Sequence, residues 1–298
     1  MTSEDDTDAT SIGEGLLVNY CALFPLIVGI QVPLLQSIES VEGEEGQSLP
    51  PGFFNVCSQL VSRHGMRRLW TGHFSHFVYD STSSFVKRAL KPQLGFGVTT
   101  DVVSRLLLSP LELVQVRIMA QTYSPPKRKY AYSWTAIAQI AREEGWLALF
   151  APKTWLPKIL LEIVLSLDQY GIPLFLIRMC DLDPIASPII YKSCRFALGM
   201  AASLVSLPLE TVVNRMQIQV IPLPGVKVAK FETEVVTDQV QYKDALDCAN
   251  RVVAEEVRWL KKSGRKGSKY GGFYRAWQGA IMANIFVALF QDSYEFQL

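Results

Sequence analysis

A proline motif written more than once constrains this chain most. Ser206–Gln219, SLPLETVVNRMQIQ, repeats the order of parts of Ser109–Gln121, SPLELVQVRIMAQ: an apolar run, then Pro, Leu and Glu, further apolar residues, an Arg and a Gln-bearing tail. Pro208, Glu210 and Arg215 therefore answer to Pro110, Glu112 and Arg117. A fainter copy stands at Pro25, in FPLIVGIQ, where Ile27 and Ile30 replace polar residues. The prolines recur at intervals of 85 and 98 residues, too wide for a solenoid and suited to three large modules. Each follows an uncharged apolar run and precedes further helical sequence. The pattern therefore predicts a proline that kinks a continuing helix, although a proline in a first helical turn would read similarly.

A second pattern recurs in step with the first. Gly-x4-aromatic-x-Gly occurs as GMRRLWTG (Gly65 to Gly72) and GFYRAWQG (Gly272 to Gly279), with GWLALFAP (Gly145 to Pro152) as a variant. In chain order the copies follow their proline motifs by 40, 35 and 64 residues, so two unrelated patterns repeat three times in one order.

The apolar runs between these landmarks set the class. Hydrophobic residues make up 49% of the chain and charged ones 19%, and mean hydropathy is positive. Leu16–Leu35 is free of charge and, at 1.5 Å per residue, about 30 Å long as a helix, the thickness of a hydrocarbon core. Phe196–Leu209 and Gly279–Gln291 are shorter uncharged runs. Gly95–Met119 and Thr154–Met179 are apolar with isolated charges, among which Asp101 with Arg105 and Lys158 with Glu162 stand at i,i+4, the spacing of a pair on one helix face. His73–Leu90 is the most polar candidate, carrying Ser81, Thr82, Ser83 and Ser84. Six spans, two per repeat, is the economical count.

The remaining segments fall between the spans. Residues 1–12 read as an acidic disordered start, neither a secretory signal nor a usual transit peptide. Amphipathic helices are expected at Phe53–His64 and Ser133–Glu144. Repeat boundaries follow at 13–92, 93–182 and 183–298, the last with insertions at about 220–241 and 258–271. The intra-repeat connections are basic, with Arg63, Arg67 and Arg68, then Lys127, Arg128 and Lys129, then Lys261 to Lys269, which reads as an orientation signal or as solvated loops.

Several chemistries find no footing. The cysteines Cys21, Cys57, Cys180, Cys194 and Cys248 lack CxxC spacing and read as isolated thiols. His73 and His76 share a helix face but lack further ligands, so no metal site is expected. GRKGSK lacks phosphate-loop spacing, and no HExxH, GxSxG or dinucleotide fingerprint occurs, so neither an enzyme nor a cofactor is expected. Gly199 and Ser203 make a small-xxx-small step suited to close helix packing.

Three proline-acid helices, each followed by Gly-x4-aromatic-x-Gly, resemble the mitochondrial carrier family over nearly the whole chain. The resemblance implies an all-α membrane protein: three tandem repeats of two transmembrane helices plus a short surface helix, forming a six-helix bundle about a pseudo-threefold axis. Its gate motif places an acid two residues after each proline and a base three residues later. Here the acid positions are Ile27, Glu112 and Glu210 and the base positions Ile30, Gln115 and Val213, so no motif pair is complete. The two carboxylates are then expected to see water or to reach Arg117 and Arg215. Tyr79-Asp80 and Tyr294-Glu295 likewise lack the base of the opposite gate, having Ser83 and Leu298 there. The family's substrate-contact positions map to Tyr79 and Asp80, Ile159 and Leu160, and Phe286 and Val287. Trp70 with Gly72, and Trp277 with Gly279, map to helix starts that hold a phospholipid phosphate such as that of cardiolipin, whereas Pro152 removes a donor.

The third repeat, LPLETVVNRMQIQ with QYKDALDC and GGFYRAWQG, looks like the outer-membrane branch linked to mitochondrial fusion and membrane architecture. With both gates depleted of charge, the resemblance implies an adaptor or scaffold in the mitochondrial outer membrane. Its partners are then membrane lipids and fusion GTPases or membrane-organising proteins, with no nucleic acid. The alternative is a divergent, inner-membrane solute transporter with an atypical or amphiphilic substrate, Asp80 with Arg117 or Arg215 forming its polar site.

Overall fold

The computed structural model describes residues 72–94, 97–121, 128–221, 223–226, 241–263 and 267–290, with a few isolated positions outside these ranges. The first expected span, Pro25, Trp70 and most of the Phe53–His64 helix lie outside the described residues. Among the described residues every regular element is helical. In chain order these are α1 (His73–Leu94), α2 (Gly97–Leu107), α3 (Ser109–Ala120), α4 (Ser133–Glu143), α5 (Trp146–Leu149), α6 (Trp155–Ser166), α7 (Ile172–Arg178), α8 (Pro188–Ile218), α9 (Ala245–Ser263) and α10 (Trp277–Phe290). Helix α8 packs against α6, α10 and α3, α2 against α1 and α6, and α1 against α3.

Three prolines meet three different fates. Pro208 lies inside α8, which runs on for 31 residues, as the kink reading expects of a continuing helix. Its missing N–H frees the carbonyl of Leu204, four residues back, and the Tyr274 hydroxyl donates to that oxygen at 3.0 Å. Pro110 behaves differently: the helix breaks at Leu108 and Pro110 sits in the first turn of α3, the position at which its lost donor matters least. Pro173 follows a π turn at Leu167–Gly171, where the Ile172 N–H reaches back to the Leu167 carbonyl. The expected single span Thr154–Met179 is thus α6, a widened turn and α7. Asp168 in that turn is held by Arg195 of α8 at 2.7 Å.

Glycine is required at two positions. Gly72, just ahead of α1, has φ of +89°, and a Cβ there would come within 2.8 Å of Met119 Cγ. Gly199 is packed against Asn284 of α10, so a Cβ would displace that amide, whose Nδ2 donates to Ser203 Oγ at 2.8 Å. The small-residue step of α8 is therefore filled by a side chain of α10.

Burial is inverted relative to a water-soluble bundle. Phe85, Leu156, Leu160, Leu174, Ile189 and Leu204 are exposed, whereas Asp101, Ser104, Lys158, Arg195 and Thr211 are buried. Two stretches, Trp146–Arg178 and Pro188–Ile218, are long and apolar enough to cross a membrane, and only 22% and 33% of their most apolar windows are buried. A soluble core helix would hide those faces, and in length and composition both stretches suit a bilayer.

Two surface helices close the ends of the proline-bearing segments. Helix α4 buries Ala136, Ile140 and Ala141 against Leu113, Val114 and Ile118. Helix α9 buries Cys248 and Val252 against Val212 and Phe273.

Two outcomes test this packing. Tyr274→Phe leaves the Leu204 carbonyl without its donor and lowers stability by about 1 kcal/mol in thermal unfolding of the detergent-purified chain. In a Pro208→Ala background, where the backbone N–H returns, that loss shrinks; an equal loss in both backgrounds would remove the assignment. Burial pushes the Cys248 thiol up to about 12, so almost no thiolate exists at pH 8, whereas Cys180 is exposed. Maleimide at pH 8, mapped by peptide mass spectrometry, should label Cys180 and spare Cys248 until the chain unfolds.

Candidate functional site

The interior charges form one connected network. Pro110 sets Glu112 in the first turn of α3, where free N–H groups favour a carboxylate. Across the seam, Lys158 of α6 places its Nζ 3.0 Å from Glu112 Oε2 and donates to Ser109 Oγ at 2.6 Å. Arg105 of α2 reaches Glu112 Oε1 at 3.3 Å and Glu162 Oε2 at 2.6 Å. Lys87 of α1 completes the set, 2.8 Å from Asp101 and 3.9 Å from Glu162, and Ser166 donates to Asp101 at 3.2 Å. The side chain of Lys158 is fully buried, which only this density of acceptors makes tolerable.

These contacts replace the pairs expected from spacing. Asp101 and Arg105, and Lys158 and Glu162, stand one helical turn apart, yet each pairs with a side chain of another helix in preference to its i,i+4 neighbour. Glu112 does obtain a base, taken from α6 and α2 in place of the motif's own position, where Gln115 stands. It does not reach Arg117.

Arg117 and Arg215 serve elsewhere. Arg117 forms a two-pronged pair with Glu144 at the end of α4 and donates to the Gln217 and Gln219 carbonyls, each at 3.0 Å. Arg215 pairs with Glu255 of α9 at 2.9 Å. Each arginine stands seven residues after its proline and clips the surface helix that follows. Nothing in the sequence pattern singles out Glu144 or Glu255, although the position of Glu144 directly before Gly145 is a signal that could have found it.

Beside the charge network lies a cavity of about 290 Å3, lined by His76, Tyr79, Arg105, Glu112, Gln115 and Glu210 together with Val116, Leu161, Val213 and Asn214. The structure thus gathers both motif carboxylates and Gln115 into one wall, with Tyr79 facing the same space. Asp80 is exposed and lies 3.4 Å from His76 Nδ1. Leu160 is exposed, and Ile159, Phe286 and Val287 are half-buried, none of them in the lining. Gly72 directly precedes α1, whereas Gly279 is the third residue of α10, which begins at Trp277. A second cavity, about 210 Å3 and largely apolar, lies between α4, α5 and the end of α8, with Arg117, Glu144, Pro152, Gln217 and Tyr242 in its wall.

Residues 88–167, which hold α2, α3, α4, α5 and α6, match the family model of the mitochondrial carrier protein. In this segment the chain is similar to the mitochondrial carrier family. Among curated proteins it is similar to the mitochondrial glutathione transporter SLC25A40 of Rattus norvegicus, 23% identical over 56% of this chain and 54% of that protein. The Xenopus tropicalis protein of the same name is 25% identical over 57% of this chain and 55% of its own length. The chain thus spans about half the length of the curated relatives it matches. That similarity agrees with the exposed apolar faces of α6, α7 and α8, which lie in the two stretches long and apolar enough to cross a membrane.

Because Lys158 is buried against Glu112, stability should be sensitive to which partner is removed. Lys158→Met leaves a buried carboxylate with only Arg105 and costs roughly 3 kcal/mol in detergent unfolding. Adding Glu112→Gln to that variant recovers most of the loss. Additive losses in the double variant would show that the two side chains are not coupled.

Proposed function

We propose that the chain is a mitochondrial solute transporter with an atypical substrate, built as three carrier repeats at about 13–92, 93–182 and 183–298. In this reading the six spans surround the axial cavity, α4 and α9 are the surface helices of the second and third repeats, and the membrane is the inner one. The observation that carries it is the polar cavity between α1, α3, α6 and α8, bounded by charge pairs that cross from helix to helix. Such a wall offers a solute hydrogen bonds inside an apolar shell, and ion pairs between helices can be exchanged when the helices part. Its polar residues are Arg105, Glu112 and Glu210; Arg117 and Arg215, expected to serve there with Asp80, are engaged by Glu144 and Glu255.

The adaptor reading rested on interior helices stripped of gate charges. The network of Lys87, Arg105 and Lys158 with Asp101, Glu112 and Glu162 removes that ground, and the curated relatives are transporters. The phospholipid role of Gly72 and Gly279 stays within the proposal, since both glycines lie at helix N-termini.

Transport is tested directly with the full chain in liposomes. Glutathione, the solute named for the relatives, is tried first, with amino acids and dicarboxylates beside it. Saturable uptake, slowed at least tenfold by Arg105→Gln, is the expected result. Uptake of none of these, from protein that is folded by thermal unfolding, would return the adaptor role to first place.

A further inference from the structure

The charges around the axial cavity do not balance, and the imbalance has a location. Three bases, Lys87, Arg105 and Lys158, are joined by ion pairs to three acids, Asp101, Glu112 and Glu162. Glu210 lines the cavity beside them and forms no ion pair with a described base. The base that acts on it electrostatically is Arg105, whose guanidinium is already held by Glu162 at 2.6 Å and Glu112 at 3.3 Å. Its hydrogen-bond partner is Ser206, one turn back on α8, which carries no charge. The expected first span supplies no remedy, because the first Lys or Arg in the whole chain is Arg63.

A second observation points into the same space. Gln115 and Asn214 are more than nine-tenths buried, at 5% and 7% exposure, and both line the cavity. Both amides open onto the cavity, so a solute there could exchange hydrogen bonds with them. Tyr79 adds an aromatic wall.

We propose that this cavity selects a solute bearing a positively charged nitrogen, with Glu210 as its counter-ion and the Gln115 and Asn214 amides taking its uncharged polar groups. The inference rests on the transport reading and narrows its substrate class. At about 30 Å3 per water-sized group, 290 Å3 holds on the order of ten such groups, the size of an amino acid or a choline-like cation. A dicarboxylate would bring further negative charge to Glu210, and the one Lys or Arg among the described lining residues, Arg105, is already paired.

The test uses the purified full chain and its thermal unfolding midpoint in the presence of L-lysine, choline, L-glutamine or glutarate. Lysine or choline should raise the midpoint at millimolar concentration, and glutarate should not. Glu210→Gln should abolish the rise without lowering the ligand-free midpoint, and Glu210→Asp should keep the preference for cations. Glutarate stabilising more than either cation, no cation stabilising at all, or a rise that survives Glu210→Gln each overturns the proposal. Should Glu210→Gln fail to fold, Glu210→Asp decides the matter, and its loss of cation preference counts against the proposal. Liposome uptake separates the two readings. Transport with a selectivity indifferent to Glu210→Gln sinks this inference and leaves a transporter; Glu210-dependent cation binding without uptake sinks transport and leaves the site.

Discussion

The carboxylate of Glu112 is the point on which the described helices converge. It is buried where Pro110 starts α3, and it is tolerable there because Lys158 and Arg105 approach it from α6 and α2. Those bases in turn draw in Glu162 and Ser109, and Glu162 shares Lys87 with Asp101. Four helices are thereby tied by charges that are mostly buried, Lys87 being the most exposed of them. The consequence reaches the outer surface. With its charge drawn inward, the bundle can present leucine, isoleucine and phenylalanine outward, which in lipid costs nothing and in water would drive aggregation.

The arginines seven residues beyond the prolines solve a different problem. A membrane helix that ends at a surface must satisfy its last carbonyls and fix the connection that follows. Arg117 does both, holding Glu144 with one edge and the carbonyls of Gln217 and Gln219 with the rest, so the end of α3 is fastened to the end of α8. Arg215 makes the corresponding clip to Glu255. The partners lie 27 and 40 residues along the chain, and the extra 13 in the later pair (40 against 27) belong to the polar stretch between α8 and α9. The remaining extra length follows Glu255, in the longer α9 and the basic segment beyond it. The insertions thus flank the clip and leave it intact, which is why two segments of unequal length can end in the same contact.

The sequence made legible whatever depends on one segment at a time. The surface helix at Ser133, the long apolar run through Pro208 and the start after Gly72 are all local, and each has its described counterpart. Pairings between segments were not legible. Asp101 with Arg105 and Lys158 with Glu162 have the spacing of intrahelical pairs, but an exposed pair of that kind is worth only a few tenths of a kcal/mol. A buried charge is worth several, so the side chains turn toward whichever helix presents the opposite charge at the seam. The gate motif misled for the same reason. It asks for a base at one position, and the fold accepts a base from any helix that brings one within reach, as Lys158 does for Glu112. Glu210 shows the converse, since identical spacing to its proline places it where, among the described residues, the only Lys or Arg sharing its cavity is the already paired Arg105.

The prolines carry this point to the backbone. Pro110 and Pro208 sit in near-identical words, PLEL and PLET, yet one begins a helix and the other is passed through. The residue cannot account for the difference, because both lack the same N–H and both free a carbonyl four residues earlier. What differs is the neighbour. At Pro208 the turn before α10 brings the Tyr274 hydroxyl to the freed Leu204 oxygen, so continuing the helix leaves no acceptor stranded. At Pro110 the described residues offer the carbonyl of Leu106 no such donor, and the chain instead breaks at Leu108, keeping the Glu112 N–H on the Leu108 carbonyl at 3.1 Å. Directly after the break, Ser109 and Glu112 both meet Lys158 of α6. A lost backbone bond at one proline is thus exchanged for the buried contact that holds the site, whereas at the other a single tyrosine keeps α8 whole.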